Sequence, residues 1–298
     1  MNSRNGILAA GLAYVAWGLL PIYWRGLHTV PPLEILSHRV VWSLVVVGML
    51  LAVRRDWQWL GRARRRPAIL GTFVITALLL SANWLVYIWA NNNGHIVEAS
   101  LGYFITPLVS ILLGLLVLRE QLRIGQWLAI AIAALGVGYL TLNAGGLLWI
   151  SLTLAFTFGF YGLLRKTAPL GSLDGLTVEM TVLFLPALAY LVYMEAIGAS
   201  ALGHRSGATD LLLLSAGVVT AVPLLFFAYG AQRVPLSALG ILQYVAPTLQ
   251  FLLAVFVFGE ALTRVRVVGF GVIWTALLIY TIEGYVSRRR RVQALAGG

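Results

Sequence analysis

Four ionisable residues lie within long apolar stretches of the sequence. His38 and Arg39 are neighbours inside one stretch, Glu98 begins another, and Glu179 lies near one end of a third. A charge in apolar surroundings is costly, so such groups pair with one another or line a path for a solute or an ion. Arg39 and Glu98 are a candidate pair for gating or for orienting a solute. Glu98 is also a candidate for proton coupling.

Polar and aromatic residues cluster around prolines in other apolar stretches. Pro107 and Pro247 lie near the middle of two stretches, where proline frees a carbonyl that must face protein or a watery cavity. A packing kink without any function explains these prolines equally well. The candidate cavity-lining residues are Trp17, Asn83, Trp84, Tyr87, Tyr103, Thr106, Tyr161, Gln243, Tyr244 and Thr248. For the amides, hydrogen bonds between helices are the structural alternative.

The common signatures of catalysis are missing from the sequence. Cysteine is absent, which excludes disulfides, thiolate metal sites and cysteine nucleophiles. The only lysine, Lys166, lacks the upstream glycines of a phosphate-binding loop, and the four histidines form no HExxH pair. No GxSxG motif occurs. We therefore expect neither an enzyme nor a bound cofactor or metal.

The elements that carry these residues are predicted to be membrane-spanning helices. Of the 298 residues, 60% are hydrophobic and only 10% are charged, whereas soluble domains carry about 25% charged residues. A bilayer accommodates such a chain, and each crossing takes about 20 apolar residues in a helix. The predicted spans are 6–24, 33–53, 69–90, 97–118, 125–142, 147–165, 174–194, 209–232, 236–258 and 266–286.

The net charge of +11 comes from positive residues in the connectors between spans. This distribution is typical of the positive-inside rule and not of a nucleic-acid-binding face. An N-terminus in the cytoplasm places the arginine-rich segments 54–66 and 288–291 inside. We expect a multi-pass protein of a bacterial inner membrane with both termini cytoplasmic. Its partners are then lipids and a small-molecule substrate, with no nucleic acid.

An internal repeat relates the two halves of the chain. A shift of 140 positions aligns Pro107 with Pro247, Glu120 with Glu260, and Asn83 with Pro223. Five is an odd number of spans, so the second copy enters the membrane from the opposite side, as in many secondary transporters. The predicted units are 1–145, the inverted repeat 146–287, and a basic cytoplasmic tail, 288–298. Pro107, Pro223 and Pro247 are candidate gating residues, and both glutamates are expected to cap the following span.

Several motifs resemble the RarD group of the EamA family, in the drug/metabolite transporter superfamily. These motifs, spread over nearly the whole chain, are Trp17-Gly18, Glu34 to Arg39, Asn83-Trp84, Glu98 to Phe104, Pro107-Leu108, Gln243-Tyr244 and Pro247-Thr248. The resemblance implies a ten-helix inverted-repeat fold, inner-membrane residence and solute export. Members of this group are commonly called chloramphenicol permeases, and this label does not establish the substrate. It also implies a cavity lined by helices one, three, four, six, eight and nine. The family's Gly-Glu before the last helix is kept at Gly259-Glu260, whereas the first half has Arg119-Glu120.

We therefore predict an all-α integral membrane protein with ten transmembrane helices in two inverted five-helix repeats of the EamA type. Its expected function is secondary transport, by alternating access, of a small amphipathic or aromatic solute such as a drug, a metabolite or an amino acid. The expected direction is efflux, as for a chloramphenicol permease. A facilitative uniporter or channel-like pore for small metabolites is the alternative. A membrane enzyme and a non-transporting sensor are further classes that the sequence favours less.

Overall fold

The protein is helical throughout the part that the computed structural model describes, which is residues 3–65, 67–93, 95–144, 148–259 and 262–296. These ranges contain no strand. In chain order the helices are α1 (Ser3–Arg25), α2 (Pro32–Arg54), α3 (Gln58–Arg65), α4 (Pro67–Asn92), α5 (Ile96–Leu116), α6 (Ile124–Ala144), α7 (Leu148–Thr167), α8 (Ser172–Ala196), α9 (Gly207–Ala231), α10 (Leu236–Gln243), α11 (Val245–Phe256) and α12 (Arg264–Ala296).

Ten helical segments in the described residues are long and apolar enough to cross a membrane. They are all the helices except α3, with α10 and α11 together forming the ninth span. The prediction of ten spans is confirmed, including the division of the fifth from the sixth. Large apolar side chains on the outside, such as Leu135 and Leu185, are each 71% exposed. This surface suits hydrocarbon, where the helices satisfy their own backbone hydrogen bonds.

Contacts between helix ends define the two ends of the bundle. At one end, Arg54 pairs with Asp174 and Arg123 pairs with Glu283. We call this the basic end. At the opposite end, the carboxylate of Glu34 accepts a hydrogen bond from the backbone nitrogen of Ala201.

Small residues let the helices of the interior approach closely. A Cβ added to Gly217 of α9 would lie 2.3 Å from the backbone carbonyl carbon of Trp42 in α2. A Cβ added to Gly240 of α10 would lie 2.7 Å from the carbonyl oxygen of Pro107 in α5. Such close contacts replace the hydrophobic driving force that helices lose in lipid. They bring α2, α5, α9 and α10 together around the middle of the bundle.

The predicted helix breakers behave differently from one another. The ninth span is interrupted at Tyr244, between α10 and α11. Pro247 explains this break, because proline cannot donate a hydrogen bond to the carbonyl four residues earlier. Pro107 and Pro223 instead lie inside the continuous helices α5 and α9. The matched prolines Pro107 and Pro247 therefore differ, because only the span that carries Pro247 is divided into two helices.

Glu120 caps a different helix from the one that was expected. Its carboxylate accepts hydrogen bonds from the backbone nitrogens of Leu236, at 2.6 Å, and Ser237, at 2.9 Å, and from the Ser237 hydroxyl, at 2.7 Å. Glu120 thus caps α10 in the other half of the chain, and not the span that follows it. Its predicted counterpart, Glu260, lies outside the described residues.

Two helical segments go beyond the predicted spans. The short helix α3 lies in the connector after the second span. Helix α12 runs on to Ala296, through the segment predicted as a separate basic tail from 288. Arginine is a good helix former, so a charged end can continue a helix that packing has begun.

Candidate functional site

A central cavity of about 130 Å³ lies between the two halves of the chain. Helices α1, α2, α4, α5, α7, α9, α10 and α11 line it with Tyr14, Trp17, Leu20, Pro21, Trp24, Arg39, Leu80, Asn83, Trp84, Tyr87, Tyr103, Thr106, Leu154, Phe158, Val219, Thr220, Leu224, Gln243, Ala246, Pro247 and Gln250. These helices include the first, third, fourth, sixth, eighth and ninth spans that the family resemblance implied. The second span joins them through Arg39.

Seven of the ten predicted lining residues meet in this cavity. They are Trp17, Asn83, Trp84, Tyr87, Tyr103, Thr106 and Gln243. Of the five predicted gating residues, Arg39 and Pro247 line it as well.

Arg39 is the charged residue of the cavity wall. Its guanidinium carbon lies 4.4 Å from the ring centroid of Trp84 and 5.1 Å from that of Trp24. Its Nε donates a hydrogen bond of 3.0 Å to the hydroxyl of Thr220. Three helices besides its own therefore hold the guanidinium. It lies in the half of the bundle that is farther from the basic end.

The amide side chains both line the cavity and join helices. The Asn83 amide nitrogen donates to the carbonyl of Leu154 and to the hydroxyl of Thr157, each at 2.9 Å. Gln243 accepts a hydrogen bond of 3.3 Å from Ser110. The interhelical bonds raised as an alternative to cavity lining are thus present, and they hold the amides in place at the cavity wall.

An aromatic layer separates the cavity from the basic end. Phe227 lies 5.5 Å from Trp17, 5.3 Å from Phe158 and 5.8 Å from Tyr161, measured between ring centroids. Tyr161 is 1% exposed and is not among the cavity-lining residues. It belongs to the aromatic layer, and its hydroxyl donates a hydrogen bond of 3.4 Å to the carboxylate of Glu179.

A buried ion pair lies beyond that layer. Arg165 and Glu179 are each fully buried, and Nη1 of the arginine lies 3.5 Å from Oε1 of the glutamate. Nη2 of Arg165 also donates to the carbonyl of Ser172 at 3.0 Å, and the guanidinium lies 5.4 Å from the ring of Phe73. Glu179 is thus paired within the bundle, one of the two roles open to an ionisable group in a span.

Two predicted lining residues face away from the cavity. Gln243, Pro247 and Gln250 line it at helical spacing, whereas Tyr244 and Thr248 lie on another face of the same span. Tyr244 is fully buried in a cluster with residues of α5, α6 and α12. The Thr248 hydroxyl accepts a hydrogen bond of 3.1 Å from the indole of Trp274. Residues one position apart on a helix point about 100° apart, which explains the difference.

The predicted gating residue Glu98 has a partner other than Arg39. Its carboxylate lies 3.3 Å from His95, and its backbone carbonyl accepts from Ser151. Pro107 and Pro223 are buried in their helices and do not line the cavity.

Several lining residues were missed by the sequence prediction. Tyr14, Pro21 and Trp24 follow the helical spacing of Trp17 along α1, so this pattern was available in the sequence. Thr220 and Gln250 carry no comparable signal, because a single polar residue in an apolar span equally suits a bond between helices. Within the described part of the chain, no three histidine or carboxylate side chains meet to form a metal site.

A second cavity, of about 500 Å³, lies toward the opposite end. It is bounded by α5, α6, α11 and α12 and has Arg266 as the charged residue among those that line it. Pro247 and Gln250 line both cavities. The broken ninth span therefore forms the partition between them.

Known proteins resemble this chain over nearly its whole length. A family model described as the EamA-like transporter family matches residues 4–142. The chain is 47% identical over 298 residues to Protein RarD of Streptomyces exfoliatus, covering 99% of this chain and 95% of the relative. It is 43% identical over 292 residues to the uncharacterized transporter PA0485 of Pseudomonas aeruginosa, covering 98% of each chain. A solved crystal structure of a protein superposes with a TM-score of 0.71 at 17% identity, covering 94% of this chain and 99% of that one, which shows the fold alone.

Proposed function

The chain belongs to the RarD group of the EamA-like transporter family, in the drug/metabolite transporter superfamily, and we propose that it moves a small amphipathic or aromatic solute by alternating access. It is a multi-pass bacterial membrane transporter and not an enzyme. The observation that carries the proposal is the central cavity, whose wall combines aromatic rings, fixed amides and one arginine. Sites for small molecules have this composition.

The volume of the cavity favours a small solute. At about 130 Å³ it is below the roughly 300–1,000 Å³ of pockets that enclose drug-sized ligands. A metabolite with a single ring, such as an aromatic amino acid, suits this conformation better than a larger drug does. A larger drug, of the kind that a chloramphenicol permease carries, requires a wider cavity than this one.

Helix packing supports the inverted repeat. In the proposed repeat, α1, α2, α4 and α5 correspond to α7, α8, α9 and the span formed by α10 and α11. The contact of α1 with α9 then corresponds to that of α7 with α4, and the contact of α2 with α9 corresponds to that of α8 with α4. The contact of α1 with α10 and α11 becomes that of α7 with α5. All of these pairs pack together. The family model ends at residue 142, close to the proposed unit boundary at 145.

The contacts at the basic end favour a state closed on that side. The aromatic layer, the Arg165–Glu179 pair and the Glu120 cap all lie between the cavity and the basic end. The second cavity lies on the other side. With the basic end in the cytoplasm of a bacterial inner membrane, this arrangement suits an exporter releasing its solute outward. Proton coupling stays a prediction, and its candidate group, Glu98, lies outside the wall of the central cavity.

Counterflow in proteoliposomes tests alternating access against the channel-like alternative. Vesicles loaded with excess unlabelled aromatic amino acid should transiently accumulate the labelled compound, with saturable kinetics. A channel-like pore would give flux without saturation or counterflow. The substrate itself is best identified by comparing metabolites inside and outside deletion and overexpression strains.

A further inference from the structure

Arg39 is a cation without an anionic partner at membrane depth. Among the residues that the structure describes, its hydrogen bond goes to Thr220 and its ring contacts go to Trp24 and Trp84. Of the described residues that line the cavity, none is an aspartate or a glutamate. Arg165, the other arginine in the interior of the bundle, has Glu179 as its counter-ion. Arg39 instead faces the cavity.

The contacts of Arg39 orient its charge without neutralising it. Indole faces attract a cation through their quadrupole, and a hydroxyl offers only a partial charge. A guanidinium keeps its proton under all physiological conditions. Within the described ranges, the hydrogen bond of Arg39 uses Nε, so the two terminal amino groups are left for a ligand. They form the fork that binds a carboxylate through two parallel hydrogen bonds.

We propose that the central cavity binds a solute with a single negative charge, a carboxylate, at Arg39 and an aromatic or apolar body against Trp17, Trp84 and Tyr103. This inference rests on the proposed transport function and names the substrate class of the same site. A zwitterionic amino acid meets the requirement only if its ammonium group finds the amide oxygen of Gln243 or a ring face. A simple aromatic carboxylate meets it directly.

The surroundings favour a monoanion over a phosphate ester. A phosphate carries more charge and three acceptor oxygens, whereas the cavity wall supplies one cation.

Equilibrium binding to the full-length protein in detergent tests this proposal. The compounds are phenylacetate, its neutral isostere phenylacetamide, the cation phenethylamine, and phenyl phosphate. Phenylacetate should bind at least about tenfold more tightly than each of the other three, as expected for a charge-assisted pair. This comparison uses the wild-type protein and does not depend on the folding of any variant.

Variants then assign the preference to Arg39. Arg39→Gln should lower the affinity for phenylacetate by at least about tenfold and the affinity for phenylacetamide by much less, so that the preference is lost, and Arg39→Lys should retain part of the preference. Arg25→Gln is the matched control, because Arg25 lies over the ring of Phe258 outside both cavities. It should bind all four compounds as the wild type does.

The contrary results are distinct from failure of the proposed function. Equal affinity for phenylacetate and phenylacetamide, tighter binding of phenethylamine or phenyl phosphate, or no binding of phenylacetate would each overturn the assignment of a carboxylate. Retention of the preference in Arg39→Gln would do the same. Counterflow of a neutral solute would leave the transport function standing while refuting this inference. Arg39-dependent binding without any flux would refute transport and leave the binding class intact.

Discussion

Glu120 and Ser237, which lie in different halves of the chain, are joined by two hydrogen bonds, from the serine backbone nitrogen at 2.9 Å and from its hydroxyl at 2.7 Å. Glu120 also accepts from the backbone nitrogen of Leu236. The carboxylate therefore satisfies backbone donors that the first turn of α10 leaves free. It also fastens the connector after the fourth span to the start of the ninth, at the basic end.

Loss of this cap should loosen the basic end. Glu120→Ala removes three hydrogen bonds that the carboxylate accepts, and we expect it to lower the free energy of unfolding by about 1–3 kcal/mol. Thermal unfolding in detergent measures the stability. Glu195→Ala is the control, because Glu195 is exposed and its nearest charged partner is His204. An unfolding temperature for Glu120→Ala equal to that of the control would contradict this role.

The buried pair of Arg165 and Glu179 should tolerate double replacement better than single replacement. Glu179→Gln leaves a buried guanidinium without its counter-ion, and the expected cost is about 3–5 kcal/mol. The double variant Arg165→Met, Glu179→Met removes both charges and should be more stable than either single variant. Unfolding temperatures of the three variants provide the comparison. Additive losses in the double variant would show that the pair is not energetically coupled.

Cavity-lining residues and their neighbours on other faces should separate in transport assays. Gln243→Ala and Tyr103→Ala should lower the rate of substrate transport by about tenfold or more at normal expression, because each removes a group from the cavity wall. Tyr244→Phe and Thr248→Val are the controls, since neither side chain reaches the cavity. Transport at wild-type rates in the Gln243→Ala and Tyr103→Ala variants would contradict the assignment of this cavity as the substrate site.

Close helix contacts should make two glycines respond in opposite directions to alanine. Gly217→Ala places a Cβ 2.3 Å from the Trp42 backbone, and overpacking of this kind costs about 1–3 kcal/mol. Gly138, inside α6, has open space around the corresponding position. Gly138→Ala should therefore stabilise the helix by about 0.5–1 kcal/mol. Equal unfolding temperatures for the two variants would argue against the tight packing of α9 on α2.

The span positions could be predicted from the sequence because they follow from one physical requirement. A segment that crosses the hydrocarbon core needs about 20 apolar residues in a helix. Ten segments between Ser3 and Gly284 meet this requirement. The capping partner of Glu120 could not be predicted, because its acceptor atoms reach a helix 116 residues away. Local sequence signals the need for a cap but not which helix receives it.

The faces of the helices explain which of the predicted residues line the cavity and which do not. Trp17, Asn83 and Gln243 were assigned to the cavity from residue type and depth, and the structure places them there. Tyr161, Tyr244 and Thr248 are likewise aromatic or polar residues within spans, but they do not line the cavity. Rotation of a helix about its axis is set by packing against its neighbours, and an all-apolar exterior gives little periodic signal to reveal it. The partners of Arg39 on three other helices were hidden for the same reason.

The central claim, that one cavity is reached alternately from the two sides of the membrane, can be tested with single cysteines, because the protein has none of its own. Ala246→Cys places a thiol in the cavity wall, and Ala133→Cys places one in the packed contact of α6 with α12 as a control. The measurement is the rate of reaction with an impermeant thiosulfonate in right-side-out and in inverted vesicles. We predict that the Ala246→Cys thiol reacts from both sides, that excess substrate slows both reactions, and that the Ala133→Cys thiol reacts from neither. Reaction of the Ala246→Cys thiol from one side only, unaffected by substrate, would contradict the account.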